Sequence, residues 1–242
     1  MGQYKKILFL VLTLSLILVF MTSCSHFGIT MGSGKVITEE REVSGFDSIS
    51  IGSSMNLLIE QTGIESLKLE AEDNIIPLIK TDVSGNQLNI RLDSVSLGIV
   101  KPINCYVTVK DLKGLRISSS SSAVSKKLTI DKLDIDVSSS ARGELVVDAD
   151  EINVGLSSSS KLVLSGETNK QNIKVSSSAV YMAKDLKSKE CTVDAASSSS
   201  ATVNVSDLLI ANISSSARVN YIGKPEIRPQ ISSSGSLNNI TE

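Results

Sequence analysis

The chain has 242 residues, 24 basic against 26 acidic, for a net charge of −2, and 41% of it is apolar. That composition can build a core, which excludes a disordered polar tract, and the charge offers nothing to a nucleic-acid backbone. Only four Phe and four Tyr are present, with no Trp and one His, while 43 residues are Ser; such a core must come from Val, Ile, Leu and Ala, which suits stacked strands, and most His-dependent chemistry is excluded.

Residues 1–23 read as a targeting segment. Lys5 and Lys6 form a basic start, Ile7 to Met21 an apolar run, and Met21-Thr22-Ser23 leads into Cys24. A run of this length is short of the roughly 20 residues that a membrane-crossing helix needs, and fits a cleaved signal peptide. Small residues directly before a Cys resemble the lipobox of bacterial lipoproteins. That resemblance implies cleavage before Cys24, acylation of Cys24, and a membrane partner reached through several acyl chains. Cleavage removes Lys5 and Lys6, leaving 22 basic and 26 acidic residues. Residues 24–34 then form the lipidated Cys and a flexible tether. No Asp follows Cys24, so lipoprotein sorting rules give the outer membrane of a Gram-negative envelope, with the domain facing the periplasm and display at the cell surface as the alternative.

Residues 35–110 read as an N-terminal cap with early rungs of a larger repeat. Val43 to Ile51 alternates into Gly52-Ser53-Ser54-Met55, a corner. Met55 to Glu60 and Ser66 to Glu70 are strand-like. Asp73 to Ile79 reads as a short helical turn with Asp73 or Asn74 as its cap. Gln87 to Leu92 and Ile103 to Val109 are strands again.

Residues 111–242 repeat. Seven runs of three or more Ser hold 25 of the 43. Aligned on Ser-Ser-Ser followed by Ala, Lys or Gly, the blocks begin at Ser120, Ser138, Ser158, Ser176, Ser198, Ser214 and Ser232. Their mean spacing is about 19 residues, in the range of solenoid rungs. Each block follows an alternating triplet whose middle residues are Arg116, Asp136, Gly155, Lys174, Asp194, Asn212 and Gln230, polar and outward between apolar, inward neighbours. Two or three short strands per unit cannot bury an apolar side alone, but stacked units can. The pattern predicts an all-β, right-handed parallel β-helix, a β-solenoid with Ser-rich corners; the hand follows the parallel-crossover rule. Ser suits a crowded corner because it is small and its hydroxyl bonds nearby backbone. Pro225 and Pro229 fall in the last rung, where a residue without N–H blunts an exposed edge.

Cys105 and Cys191 lie 86 residues apart, four to five rungs, or ~20 Å along the axis. A disulfide needs Cα atoms within about 7 Å, so both are expected to be free thiols.

From Arg41-Glu42-Val43-Ser44-Gly45-Phe46-Asp47-Ser48-Ile49-Ser50-Ile51, through Leu67 to Thr81 and Gly85 to Ile90, to the small-residue corners, the chain resembles the head GIN domain family over about residues 38–236. Members usually carry Gly among the corner residues, where this chain has Ser. The resemblance implies a β-helical, envelope-located domain with an adhesin-like role, and supplies no catalytic or binding residues.

Function reads best as a non-catalytic lipoprotein whose rod presents a surface to a protein or glycan ligand, without cofactor or metal. A polysaccharide-binding or polysaccharide-degrading β-helix is the alternative. Glycoside hydrolysis needs a carboxylate pair at fixed separation, whereas Asp134, Asp136, Asp148, Asp150 and Asp194 form no acidic ladder. A nucleophilic Ser needs an adjacent base; the one His is His26, in the tether, and Lys161 points away from Ser160 on a strand. Calcium-binding repeats need Gly and Asp at fixed places that the Ser blocks lack.

Overall fold

The computed structural model describes residues 29–93 and 96–241. They form a β-solenoid of about seven turns, built almost wholly of strand. From residue 142 onward each rung is one continuous bent strand: Arg142–Leu156, Lys161–Val175, Val180–Ala195 and Ser200–Ile213. Only the last rung divides, into Arg218–Ile222 and Glu226–Ile231. A 15-residue strand plus a four-residue corner gives the 19-residue unit. The strands pair in parallel, each with its counterpart in the next rung. Where two or three short strands were expected, the strand instead bends, and alternation of buried and exposed residues slips at the bend, as at Asp148 to Glu151. Inward Val, Ile, Leu and Ala stack into one continuous core.

From Gly114 onward each rung turns at its Ser corner. Turns open at residues 118, 138, 157, 176, 196, 214 and 232, so successive spacings are 20, 19, 19, 20, 18 and 18, and in each the fourth N–H donates to the first C=O, as from Ala141 to Ser138 at 3.1 Å. The two middle residues of every turn are left-handed: Ser119 and Ser120, Ser139 and Ser140, Ser158 and Ser159, and so on to Ser233 and Ser234, with φ between 46° and 62°. This is type I′ geometry. Gly52 to Met55 makes an eighth corner, with Ser53 at φ 64° and Ser54 at φ 58°. The left-handed pair does more than reverse the chain. The first Ser of a corner donates back to the preceding rung, as Ser138 does to Ile117 at 3.0 Å. The third donates forward, as Ser140 does to Ser158 at 2.9 Å. The hydrogen-bond ladder therefore runs through the corner without a break. The fourth position is buried and small: Ser121, Ala141, Ser160, Ala179, Ser199 and Ala217. Its hydroxyl bonds to backbone, as Ser160 Oγ does to Val137 O at 2.8 Å and Ser199 Oγ to Val175 O at 3.0 Å.

The N-terminal part is wound out of sequence order. Ser48–Ile51 and Asn56–Gln61 form a rung that lies between the rung of Gln87–Leu92 and Asn104–Val109 on one side and the rung of Gly114–Ile117 and Ser122–Ser125 on the other. The chain lays down the inner rung first, builds the outer one, then steps over both to begin the regular repeat. Antiparallel strands Val36–Arg41, Ser66–Glu72 and Ile79–Ser84 cover the outer rung and close that end. Between them Ile76–Leu78 is a single 3-10 turn containing Pro77. Neither Asp73 nor Asn74 caps it; Ile75 occupies the cap position without a side-chain bond. Those two side chains instead hold the incoming segment. Asp73 accepts from Ser33 Oγ at 2.6 Å, while Asn74 accepts from Ser33 N and donates to Met31 O. Ile29–Thr30, inside the segment expected to be tether, is already strand.

At the opposite end no such strands lie across the last rung among the described residues. Ser232 N donates back to Ile213 at 2.9 Å, so by alternation Ile231, Pro229 and Ile227 turn their backbone groups to the open edge. Pro229 removes one donor from that edge, as a residue without N–H should. Inside, Tyr181 is fully buried, and its hydroxyl donates to Gln171 Oε1 at 2.9 Å. Gln171 Nε2 donates to Ser188 Oγ, which donates to Asn204 O. Cys105 and Cys191 are free and buried. The out-of-order rung lengthens their separation to six rungs, or ~29 Å at the strand spacing, beyond the four to five counted from sequence.

Two outcomes follow from this geometry. Ser177 is exposed and left-handed, so Ser177→Val should lower stability by about 1–2 kcal/mol although it removes no buried contact. Ser177→Gly should stay within about 1 kcal/mol, since relief at positive φ is offset by the freedom of Gly in the unfolded chain. Urea melts of the two variants compare them; equal costs would contradict the corner account. Burial pushes the Cys105 thiol up to about 12 and raises Cys191 as well, so both are protonated at pH 8, where thiolates alone react. Alkylation at pH 8 should leave both intact in the folded chain and label both in denaturant.

Candidate functional site

The outward middle residues of the triplets form one stacked column. Arg116 pairs with Asp136, Asp136 with Gly155, Gly155 with Lys174, Lys174 with Asp194, Asp194 with Asn212, and Asn212 with Gln230. Beside the column the corner Ser residues rise, and between the two lies a groove of ≈ 880 Å³. It runs along the rod from Asp136 to Gln230, ~24 Å at the strand spacing. Ser138, Ser157, Ser176, Ser214 and Ser232 form its second wall, with Ala196 among them. The ladder backbone is its floor.

The wall is partly organised by its own bonds. Asn212 Nδ2 donates to Asp194 Oδ1 at 2.7 Å, and Arg116 Nη2 lies 3.5 Å from Asp136 Oδ2. Gly155 leaves a gap in mid-column, where a Cβ would sit 2.6 Å from Asp136 Oδ1. Lys174 stands exposed beside that gap. Two residues further from the corner, Asp134, Asn153 and Asn172 make an amide ladder with bonds of 2.7 and 2.8 Å. The groove therefore offers alternating donors and acceptors at one spacing, with both signs of charge. Such a surface suits an extended polar chain lying along the rod.

A second groove of ≈ 700 Å³ follows the strand bend and is lined by Asp131, Asp148, Asp150, Glu167, Asn169 and Lys187 among others. Three of its four carboxylates are engaged. Lys127 lies 2.6 Å from Asp148, Lys187 lies 3.5 Å from Glu167, and Asn169 donates to Asp150 at 2.8 Å. The hydrogen bond to Asp148 holds the exposed Lys127 ammonium above its ordinary pKa.

The first groove does not have the geometry of glycoside hydrolysis. Asp136 and Asp194 share a column but are three rungs apart, ~14 Å, while retaining and inverting pairs lie about 5–9.5 Å apart. Among the described residues Phe46, Tyr181 and Tyr221 are buried, and Tyr106 is half-buried with Lys68 Nζ 4.8 Å from its ring centre, so none offers an open stacking face to a sugar. Among the same residues no three of His, Cys, Asp or Glu converge on one point.

All seven Ser residues marked in the sequence lie in corners, at different places within the turn. Ser138, Ser176, Ser214 and Ser232 open their turns, Ser158 is second, and Ser120 and Ser198 are third. The mismatches fall in the runs longer than three, Ser118 to Ser122, Ser157 to Ser160 and Ser197 to Ser200, where identical residues carry no phase. The sequence reading missed the left-handed pairs. The signal that could have found them is the Gly that related chains carry at these corners, since Gly is the usual residue at positive φ. Cys24, the signal segment 1–23 and His26 lie outside the described residues.

A family model described as "Putative auto-transporter adhesin, head GIN domain" matches residues 45–225. Among solved structures, one titled a putative adhesin from Bacteroides fragilis superposes with a TM-score of 0.82 at 22% identity, covering 87% of this chain and 100% of its own. A structure titled a putative lipid binding protein from Parabacteroides distasonis gives 0.73 at 24%, covering 87% and 99%. One titled a putative adhesin from Parabacteroides merdae gives 0.73 at 17%, covering 87% and 98%. At these identities the likeness is one of fold. No curated relative matches the chain.

Proposed function

The chain belongs to the head GIN domain family, and from that premise we propose that it is a non-catalytic, acylated lipoprotein of the bacterial cell envelope whose rod binds an extended polar partner along the corner groove. The observation that carries this reading is the groove itself. It repeats one pair of polar walls over six rungs, which matches a linear ligand rather than a compact one. The wide separation of Asp136 and Asp194 in the groove supports a binding role over turnover. An extended protein segment fits better than a polysaccharide, because the described aromatic rings are covered. Cys24 supplies the anchor in this reading, with the outer membrane as destination.

Two experiments test it. Inhibition of lipoprotein signal peptidase should leave an uncleaved precursor in the cell envelope; unchanged maturation would remove the lipid anchor from the proposal. Beads carrying the purified chain should adhere to a surface of extended matrix protein more than to one of envelope polysaccharide. Gly155→Phe, whose Cβ would meet only the Asp136 side chain closely and whose ring is meant to occupy the groove, combined with Lys174→Glu should reduce that adhesion about tenfold with circular dichroism unchanged. Adhesion that survives both changes would move the binding surface elsewhere on the rod.

A further inference from the structure

The capped end of the rod carries an apolar tip. Ile29–Thr30 pairs in parallel with Ser96–Leu97, on the link between Gln87–Leu92 and Asn104–Val109 where the other rungs have a Ser corner. Gly98 N donates to Thr30 O at 2.9 Å, and Gly32 N to Ile99 O at 3.0 Å. Ile29 and Met31 alternate onto one side of this small ribbon and lie over Gly98, where a Cβ would strike both side chains. Ile99 follows Gly98 on the same ribbon. The three are 66%, 53% and 81% exposed. Three bare large side chains on one short ribbon, two of them on one side of it, differ from the scattered ones that any surface shows.

The ribbon is firmly built. The buried Glu72 carboxylate accepts from Gly34 N at 2.6 Å and from Lys101 N at 2.9 Å, tying the incoming segment to that link. Lys101 Nζ donates to Gly34 O at 2.6 Å. Ser33 and Asn74 add the bonds already described. The hydrogen bond from Ser33, with the charge of Lys35 behind it, holds the half-buried Asp73 carboxyl below its ordinary pKa. The tip is thus a fixed feature of the fold rather than a loose end.

Its position names the occupant. Cys24 precedes Ile29 by five residues, a reach of at most ~18 Å when fully extended. An acyl chain on Cys24 would hold the tip at the membrane surface, where apolar side chains enter the boundary between headgroups and acyl chains. We propose that Ile29, Met31 and Ile99 form a membrane-docking tip, so that the rod stands with its capped end in the lipid interface and its open end away from it. This rests on the acylation of Cys24 proposed above.

The native chain has no Trp, so one introduced indole reports alone. Ile99→Trp and Ile231→Trp place it at the tip and at the open end, where Ile231 is 48% exposed. The full chain, purified from envelopes and reconstituted into phosphatidylethanolamine–phosphatidylglycerol vesicles with brominated acyl chains, is compared with the same chain in unbrominated vesicles. The Ile99→Trp emission should fall at least twofold in the brominated vesicles, and the Ile231→Trp emission should not change. Equal emission of Ile99→Trp in both vesicles would overturn the docking tip. The mass of the purified chain reads acylation separately. If it carries no acyl chain, the anchor proposal fails, and the tip is tested by coupling Cys24 to a maleimide lipid, since Cys105 and Cys191 are buried; the same quenching criterion then applies.

Discussion

A stacked rung must reverse direction within two residues and still present its backbone groups up and down the stack. Right-handed or extended residues cannot do both, because they point the corner peptides out of the ladder. Two consecutive left-handed residues can, and every Ser corner uses them. Each such residue costs ~1–2 kcal/mol in an L-chain, a cost repeated at every corner. It is offset by bonds that an unpaired corner would forgo, since each corner before the last donates both to the rung before and to the rung after. Ser tolerates the conformation at an exposed site, and the same residue type fits the buried fourth position, where only Ser, Ala or Gly occurs in the seven regular turns. The Ser excess of the whole chain descends from this one constraint.

Because the corner fixes register, everything on the faces follows in columns. A residue's neighbours above and below are its counterparts in the adjacent rungs, so interior volume must balance along a column. Tyr181 stands between Leu162 and Ala201 in one such column, and its hydroxyl is satisfied by the Gln171 that the next inward column places beside it. On the outside the same logic makes linear arrays: an Asp-Asn-Asn amide ladder, and a mixed-charge wall facing a row of Ser. A surface assembled this way is translationally repetitive, and it complements partners that are themselves extended.

The two ends solve opposite problems. The N-terminal end is sealed by antiparallel strands laid across the outermost rung, and the segment leading toward Cys24 is bonded into that seal. The C-terminal end relies on Pro229 and on polar side chains to discourage edge pairing. A rod with one sealed and one open end has a direction, and the apolar tip gives that direction a meaning relative to a membrane.

Much of this was legible in the residues. The triplets around Arg116, Asp136, Gly155, Lys174, Asp194, Asn212 and Gln230 revealed inward and outward faces, and the structure pairs those seven residues in one column. Period-two patterning is a local property, so it survives without tertiary information. Free, buried Cys105 and Cys191 followed from rung counting. What sequence could not decide was phase and order. A run of four or five Ser can slide against a turn without changing composition, so only the bonds of the neighbouring rungs choose which two become left-handed. Likewise Ser48–Ile51 precedes Gln87–Leu92 in the chain yet lies nearer the regular repeat, because stacking order is set by which edges fit in space. The sequence by itself determined the repeat, its faces and its small-residue corners; the tertiary structure alone decided the register of each corner, the order of the first rungs and the groove and tip that they create, since those depend on contacts between residues far apart in the chain.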